Sequence, residues 1–193
     1  SQPGDWILDQ FVGSGTTLIE AKLLNRNAVG VDINPQSVSI SEKNIQFESN
    51  SVSKIFVREG NAVKLDFLKN EKIDFICTHP PYADIIQYSK NIEGDLSRLG
   101  TKEFLETMEK VAKESLRVLK RGKNCAVMMG DIRNRGKVMP LGFRTMELFL
   151  NAGFQLKEII IKEQHNCKSM LYWKDRNNKF LLLAHEYIFV FQK

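Results

Sequence analysis

The sequence predicts an α/β fold: a Rossmann-like, doubly wound, mostly parallel seven-stranded sheet with an antiparallel C-terminal hairpin. Three observations predict it. Short apolar runs of strand length alternate with longer stretches of helical periodicity, as in serial βα units. A Gly13-Ser14-Gly15 break separates the first run from the first helix. The first, second and fourth runs end at Asp9, Asp32 and Thr78 to Tyr82, polar or turn-forming residues of the kind found at the ligand-binding edge of an open sheet.

Trp6-Ile7-Leu8 forms the first strand, and the stretch from Thr16 to Leu24 the first helix. Ala28 to Val31 is the second strand, after which Asn34-Pro35 opens a helix to about Phe47. Ile55 to Val57, ending near Gly60-Asn61, and Ile73 to Cys77 are the third and fourth strands. From Thr101 to Leu119 the positions Phe104, Leu105, Met108, Val111, Ala112, Leu116 and Leu119 have the spacing of an amphipathic helix, with Gly122 as its cap. Cys125 to Met129 is the fifth strand, and a helix over Leu141 to Asn151 is stopped by Gly153. Gln155 to Lys162 and His185 to Phe191 pair as a hairpin with a long connection. Nothing in the order suggests an internal boundary, so residues 1–193 are read as one domain.

No stretch approaches the roughly 18 apolar residues of a membrane span, and the opening Ser1 to Asp5 has no signal-like flank, so a cytoplasmic protein is expected. Cys77, Cys125 and Cys167 are odd in number and widely spaced, which fits reduced thiols better than disulfides or a metal site; no metal is expected. The net charge is +5, and between Lys110 and Lys137 nine Lys or Arg residues face only Glu114 and Asp131. That distribution suits a polyanionic partner, and equally a solvated helix face.

The loop from Asp9 to Thr17 lies where a doubly wound sheet binds ligands. Its glycines permit a sharp turn and a close approach of a bulky ligand to the backbone. Asp32, 17 residues after Gly15, is placed to accept hydrogen bonds from both ribose hydroxyls, and Asn61 past the third strand to read an adenine edge. Together they describe a nucleoside pocket. NAD is disfavoured because Leu18 stands where a third glycine belongs, and a P-loop is excluded by the missing Gly-Lys-Ser/Thr ending.

His79-Pro80-Pro81-Tyr82 is the most specific feature. Two prolines fix φ near −65° and donate no hydrogen bonds, so they build a rigid corner at the ligand edge. The amino nitrogen of cytosine or adenine is a poor nucleophile because its lone pair is delocalised into the ring. Acceptors such as the Pro80 carbonyl and a side-chain atom of residue 79 would hold its N–H bonds and aim the lone pair at a methyl donor. Tyr82 would stack on the flipped base.

The pair Asp9-x-Phe11-x-Gly13-Ser14-Gly15-Thr16-Thr17 and Pro80-Pro81-Tyr82, with the ending His185 to Phe191, resembles the amino-methyltransferases that make N4-methylcytosine or N6-methyladenine in DNA. The resemblance covers nearly the whole chain. It implies a class I methyltransferase fold with S-adenosylmethionine as cofactor. Asp9, Phe11, Gly13, Ser14, Gly15, Thr16 and Thr17 would line the cofactor pocket with Ile33, Asn61 and Ala62, and Asp32 would bind the ribose. His79, Pro80, Pro81 and Tyr82 would be the catalytic corner. Residue 10 is Gln where the family usually has Pro, and residue 79 is His where Ser, Asp or Asn is usual. A neutral imidazole accepts the amino proton and a protonated one does not. The family's upstream cofactor-binding segment and target recognition domain are not evident, so a separate recognition subunit or upstream domain is an expected partner.

The partner expected is nucleic acid, DNA ahead of RNA, with cytosine N4 slightly ahead of adenine N6. An RNA base methyltransferase and a catalytically silent binding subunit are the alternatives. C5-cytosine methylation is disfavoured because Tyr82 stands where that chemistry needs a cysteine. For nucleic-acid contact the interleaved Lys168, Tyr172, Trp173, Lys174 and Arg176 are candidates, and the loop from Ala83 to Gly100 is placed to close over the base.

Overall fold

In a computed structural model of the chain, residues 1–83, 88–89, 91–134, 136–165 and 181–193 are described. The strands are β1 (Trp6–Asp9), β2 (Asn27–Asp32), β3 (Ile55–Glu59), β4 (Ile73–Thr78), β5 (Leu119–Met129), β6 (Ile132–Asn134), β7 (Lys137–Met139), β8 (Gln155–Glu163) and β9 (His185–Gln192). The helices are α1 (Thr16–Leu23), α2 (Pro35–Asn44), α3 (Thr101–Val118) and α4 (Leu141–Ala152). Seven strands form one sheet in the order β3-β2-β1-β4-β5-β9-β8. β1 to β5 run parallel, and β9 is antiparallel to both β5 and β8. The strand order reverses between β1 and β4, so the loops after these two strands flank the crevice where open sheets bind ligands.

Burial explains why these segments take these forms. β1 and β2 are covered on both faces and read as almost continuous apolar runs, as central parallel strands do. α3 buries Phe104, Met108, Val111, Ala112, Ser115 and Val118, a stripe at helical spacing. α4 seals the C-terminal end of the core, where the Phe149 and Phe191 rings stack with centroids 5.0 Å apart. Asn34 caps α2 by accepting from the Gln36 N–H at 3.0 Å, with Pro35 in the first turn.

The structure departs from the expected elements in four places. α2 stops at Asn44 rather than near Phe47 because Lys22 Nζ captures the carbonyls of Ile45 at 2.8 Å and Phe47 at 2.7 Å. Gly122 does not cap α3. The helix ends at Val118, Leu119 is already extended, and Gly122 lies inside β5 with φ +73°. There the β4–β5 register jumps from Ile73–Leu119 to Phe75–Asn124, and a left-handed glycine absorbs the extra residues. The short ribbon of β6 and β7 was not anticipated. Part of the basic excess from Lys110 to Lys137 is paired within the protein. Lys120 and Lys123 pair with Asp74, Arg121 with Glu71 and Arg117 with Glu114, the first three at the sheet edge opposite the crevice.

No helix among the described residues is long and apolar enough to cross a membrane. Cys77 and Cys125 are free thiols, and burial pushes Cys77 up to about 11. Cys167 lies outside the described residues.

Candidate active site

Every residue expected to hold cofactor or base, Gly15 excepted, lines one cavity of about 1190 Å³ over the C-terminal ends of β1, β2, β4 and β5. Gly15 has φ +90°, and a Cβ on it would lie 2.9 Å from Ser41 Oγ and 3.2 Å from Ser41 Cα. Its smallness lets the loop press onto α2, where Ser41 Oγ donates to the Gly13 carbonyl at 3.0 Å and Asn44 Nδ2 to the Ser14 carbonyl at 2.8 Å. α1 begins at this loop without a side-chain cap, so its first N–H groups open toward the crevice.

Two carboxylates organise the pocket floor. Asp9 accepts from Thr17 Oγ1 at 2.6 Å, Thr78 Oγ1 at 2.9 Å and the Phe11 N–H at 3.1 Å, which joins the glycine loop to the end of β4. Asp32 accepts from the N–H groups of Gly13 and Asn34, each at 2.9 Å. Burial raises both carboxyls above the usual range despite these donors. Among the described residues neither takes part in an ion pair. Desolvated anions without a cation fit a positively charged nucleoside ligand.

Gln10 departs from the family's loop and is buried. Its carbonyl accepts from Ser115 Oγ at 2.8 Å, and its amide reaches the Ala62 carbonyl at 3.4 Å. Asn61 uses its amide oxygen to accept from the Val63 N–H at 3.1 Å, leaving its NH2 directed at the turn's surroundings, where Gly94 approaches. The described part of the loop from Ala83 to Gly100, expected to close over the base, meets the end of β2. Tyr88, Gly94, Asp95 and Leu96 line the cavity together with Asp32, Ile33 and Asn34. Asn34 Nδ2 donates to the Tyr88 carbonyl at 3.1 Å, and the Tyr88 N–H donates to the buried Ser97 hydroxyl at 3.0 Å. These roof residues carried no local signal, because only the folded chain brings them over β2.

At the corner, Pro80 is buried and the His79 side chain is 44% exposed, at the cavity wall. His79 Nε2 lies 2.8 Å from the Tyr82 hydroxyl, which lies 2.5 Å from Glu186 Oε1. Lys162 Nζ donates to Glu186 Oε2 at 2.8 Å. The Tyr82 ring packs against Gly130, where a Cβ would come within 3.1 Å. Burial would push Glu186 up, but Lys162, Tyr82 and Gln164 outweigh it and hold the carboxyl below its usual range. Burial pushes the Tyr82 phenol up, and Glu186 adds to the effect. Burial lowers His79, with Glu186 opposing and Lys162 assisting. Glu186 was missed as a candidate site residue, although a Glu directly before the apolar run from Tyr187 to Phe191, within the expected strand from His185 to Phe191, was a readable signal. Lys168, Tyr172, Trp173, Lys174 and Arg176 lie outside the described residues.

A family profile described as DNA methylase matches residues 1–43 and 73–193. The tRNA (guanine(10)-N2)-dimethyltransferase of Methanothermobacter thermautotrophicus is 35% identical over 104 residues, 54% of this chain and 29% of that protein. Type II methyltransferase M.MjaII of Methanocaldococcus jannaschii is 31% identical over 108 residues, 56% of this chain and 15% of that protein. The chain thus spans less than a third of either relative. Among solved structures, an S-adenosylmethionine-dependent methyltransferase of Methanosarcina mazei superposes with a TM-score of 0.69 at 15% identity, covering 100% of this chain and 94% of that one. That likeness shows the fold to be the class I methyltransferase fold.

Proposed function

Because this chain belongs to the N4/N6 DNA methylase family, we propose that it transfers a methyl group from S-adenosylmethionine to the exocyclic amino group of a base in DNA, cytosine N4 ahead of adenine N6. The observation that carries this reading is the meeting, in one cavity, of two carboxylates that have no ion pair among the described residues with the His79-Pro80-Pro81-Tyr82 corner.

S-adenosylmethionine, the cofactor of the family, supplies an electrophilic methyl on a cationic sulfur when bound. Among the residues that line the cavity, Asp32 would bind the ribose, Asn61, Ala62 and Ile33 would border the adenine, and the loop from Asp9 to Thr17 would hold the amino-acid part. The opposite charge of the ligand favours the ionised forms of Asp9 and Asp32. At the corner, the Pro80 carbonyl and the His79 imidazole accept the two amino N–H bonds. Loss of planarity frees the nitrogen lone pair to attack, and the displaced amino proton leaves through an acceptor already in contact with it. Tyr82 borders the base. A neutral imidazole offers one lone pair, which suits an amino group beside an unprotonated ring nitrogen, as in cytosine and adenine.

A second reading is favoured by one finding, the match to a tRNA guanine-N2 dimethyltransferase at an identity similar to that of the DNA enzyme. On that reading the same corner acts on an RNA base. The two separate in one experiment: incubation with labelled S-adenosylmethionine and mixed DNA and RNA, followed by mass spectrometry of the nucleosides. N4-methylcytosine or N6-methyladenine in the deoxynucleoside pool supports the first reading, and label confined to ribonucleosides the second. The absence of any methylated amino group, with a complete partner or recognition segment supplied, overturns both.

A further inference from the structure

The contacts around Tyr82 decide more than where its ring lies. Glu186 is ionised, since Lys162 Nζ sits 2.8 Å from Oε2 and holds the carboxyl low, so it only accepts hydrogen bonds. The Tyr82 hydroxyl, 2.5 Å from Oε1, must therefore donate to it. A hydroxyl has one proton, so toward His79 Nε2, 2.8 Å away, the phenol oxygen only accepts. Nε2 then carries the hydrogen, and in a neutral imidazole that leaves Nδ1 as the acceptor.

We infer that Glu186 is a positioning residue: acting through the Tyr82 hydroxyl, it fixes His79 as the Nε2–H tautomer and so reserves Nδ1 as the acceptor for the substrate amino group. The tautomer follows from the Lys162, Glu186, Tyr82 and His79 contacts alone. Its use toward a substrate rests on the proposed function. The relay also gives a reason for histidine to stand where the family usually has Ser, Asp or Asn. Glu186 from β9 supplies, through a phenol, the orientation that a shorter side chain obtains by itself.

Glu186→Gln provides a discriminating test. Lys162 can only donate, so it claims the amide oxygen and turns the amide NH2 toward Tyr82. The phenol oxygen then accepts from Gln, its proton is redirected to His79 Nε2, and the imidazole is forced into the Nδ1–H tautomer, with no acceptor left for a substrate. Tyr82→Phe removes the hydroxyl and releases both tautomers to exchange.

The chain has three histidines, so ¹⁵N shifts from histidine-labelled protein near pH 8 are readable, and His79→Asn identifies the signal. His185, tied to the Tyr187 hydroxyl at 3.0 Å, serves as an internal reference. The wild type is expected to show Nε2–H at residue 79, Glu186→Gln the inverted pattern, and Tyr82→Phe averaged shifts. In turnover, Glu186→Gln lowers kcat by about 100-fold and leaves the KM for S-adenosylmethionine within about twofold. A wild-type Nδ1–H tautomer, or an Nε2–H tautomer unchanged in Tyr82→Phe, overturns the inference even where Glu186→Gln fails to fold. The shifts are read without turnover, so a protein that methylates nothing refutes the proposed function and leaves the relay standing.

Discussion

The side-chain carbonyl of Gln10 accepts a 2.8 Å hydrogen bond from the Ser115 hydroxyl inside the protein, 105 residues away along the chain. The same amide reaches the Ala62 carbonyl, so one side chain joins the cofactor loop, α3 and the turn after β3. Gln10→Ala removes both contacts and opens a hole, and is expected to cost about 1–3 kcal/mol in urea unfolding. Gln10→Pro, the residue usual in the family, should also destabilise here, because it removes the buried bridge from the loop to α3 and to the Ala62 carbonyl, although the Ser115 hydroxyl keeps the Val111 carbonyl as a partner. Equal urea midpoints for wild type and Gln10→Pro would show that loop stiffness, not the buried bridge, sets stability.

The two glycines of the loop differ in what a side chain would meet. At Gly13, φ is +52° and the nearest atom to a new Cβ is the Phe11 carbonyl oxygen at 4.0 Å, so Gly13→Ala bears mainly the left-handed cost of roughly 1–2 kcal/mol. At Gly15 the same change adds a collision with Ser41. Gly15→Ala should therefore lose roughly 1–3 kcal/mol more in thermal unfolding. The reverse ranking would mean that α2 does not press on the loop as the structure has it.

The glycine-loop wall of the cavity was legible because it is local: a strand, a glycine turn and a helix within the span from Trp6 to Leu23 carry Asp9, Gly13 and Thr17 together. Asp32 and the Pro-Pro corner were legible for the same reason, each closing its own strand. What escaped was assembled across the sheet. Thr78 holds Asp9 from β4, Ser41 holds the loop from α2, and Glu186 reaches Tyr82 from β9 over 104 residues. Gly122 was misjudged because a glycine after an amphipathic helix and a glycine in a strand bulge look alike until the partner strand fixes the register. The pairing of Lys120, Arg121 and Lys123 with Asp74 and Glu71 could not be read from the local charge excess, because those carboxylates are distant in sequence.

Cofactor binding should release protons. Burial raises Asp9 and Asp32 above their ordinary carboxylate value of 3.8, so without ligand their ionised forms are disfavoured in the folded state. Each therefore weakens the ligand-free fold as pH rises from 3.8 through its raised value, and the penalty is relieved by protonation below that window. A cationic ligand favours the carboxylates and shifts both back down. Titration calorimetry with S-adenosylmethionine just above the ordinary carboxylate range should give heats that depend on the buffer's ionisation enthalpy, with affinity falling as pH drops. Asp32→Asn should reduce the proton release. Heats independent of buffer throughout that range would show that neither carboxyl changes state on binding.

The roof over the ribose should set cofactor affinity with little effect on the fold. Gly94 has φ +83°, and a Cβ there would lie 3.0 Å from Asn61 Nδ2 and 3.3 Å from Ile33 Cδ1, two residues expected at the adenosine. Gly94→Ala must displace one of them or lift the roof. Ser97→Ala takes away the hydroxyl that receives the Tyr88 N–H and loosens the roof from its other end. Each change is expected to raise the dissociation constant for S-adenosylmethionine about tenfold, equivalent to about 1.4 kcal/mol. The large apolar core around Phe104, Phe149 and Phe191 is untouched, so the melting temperature of the ligand-free protein should fall by only about 2–4 °C in Ser97→Ala and about 4–8 °C in Gly94→Ala, which also bears the left-handed backbone cost. Undiminished affinity in both variants would place the adenosine elsewhere in the cavity. A collapse of the melting temperature would make the roof part of the fold's foundation rather than of the binding site.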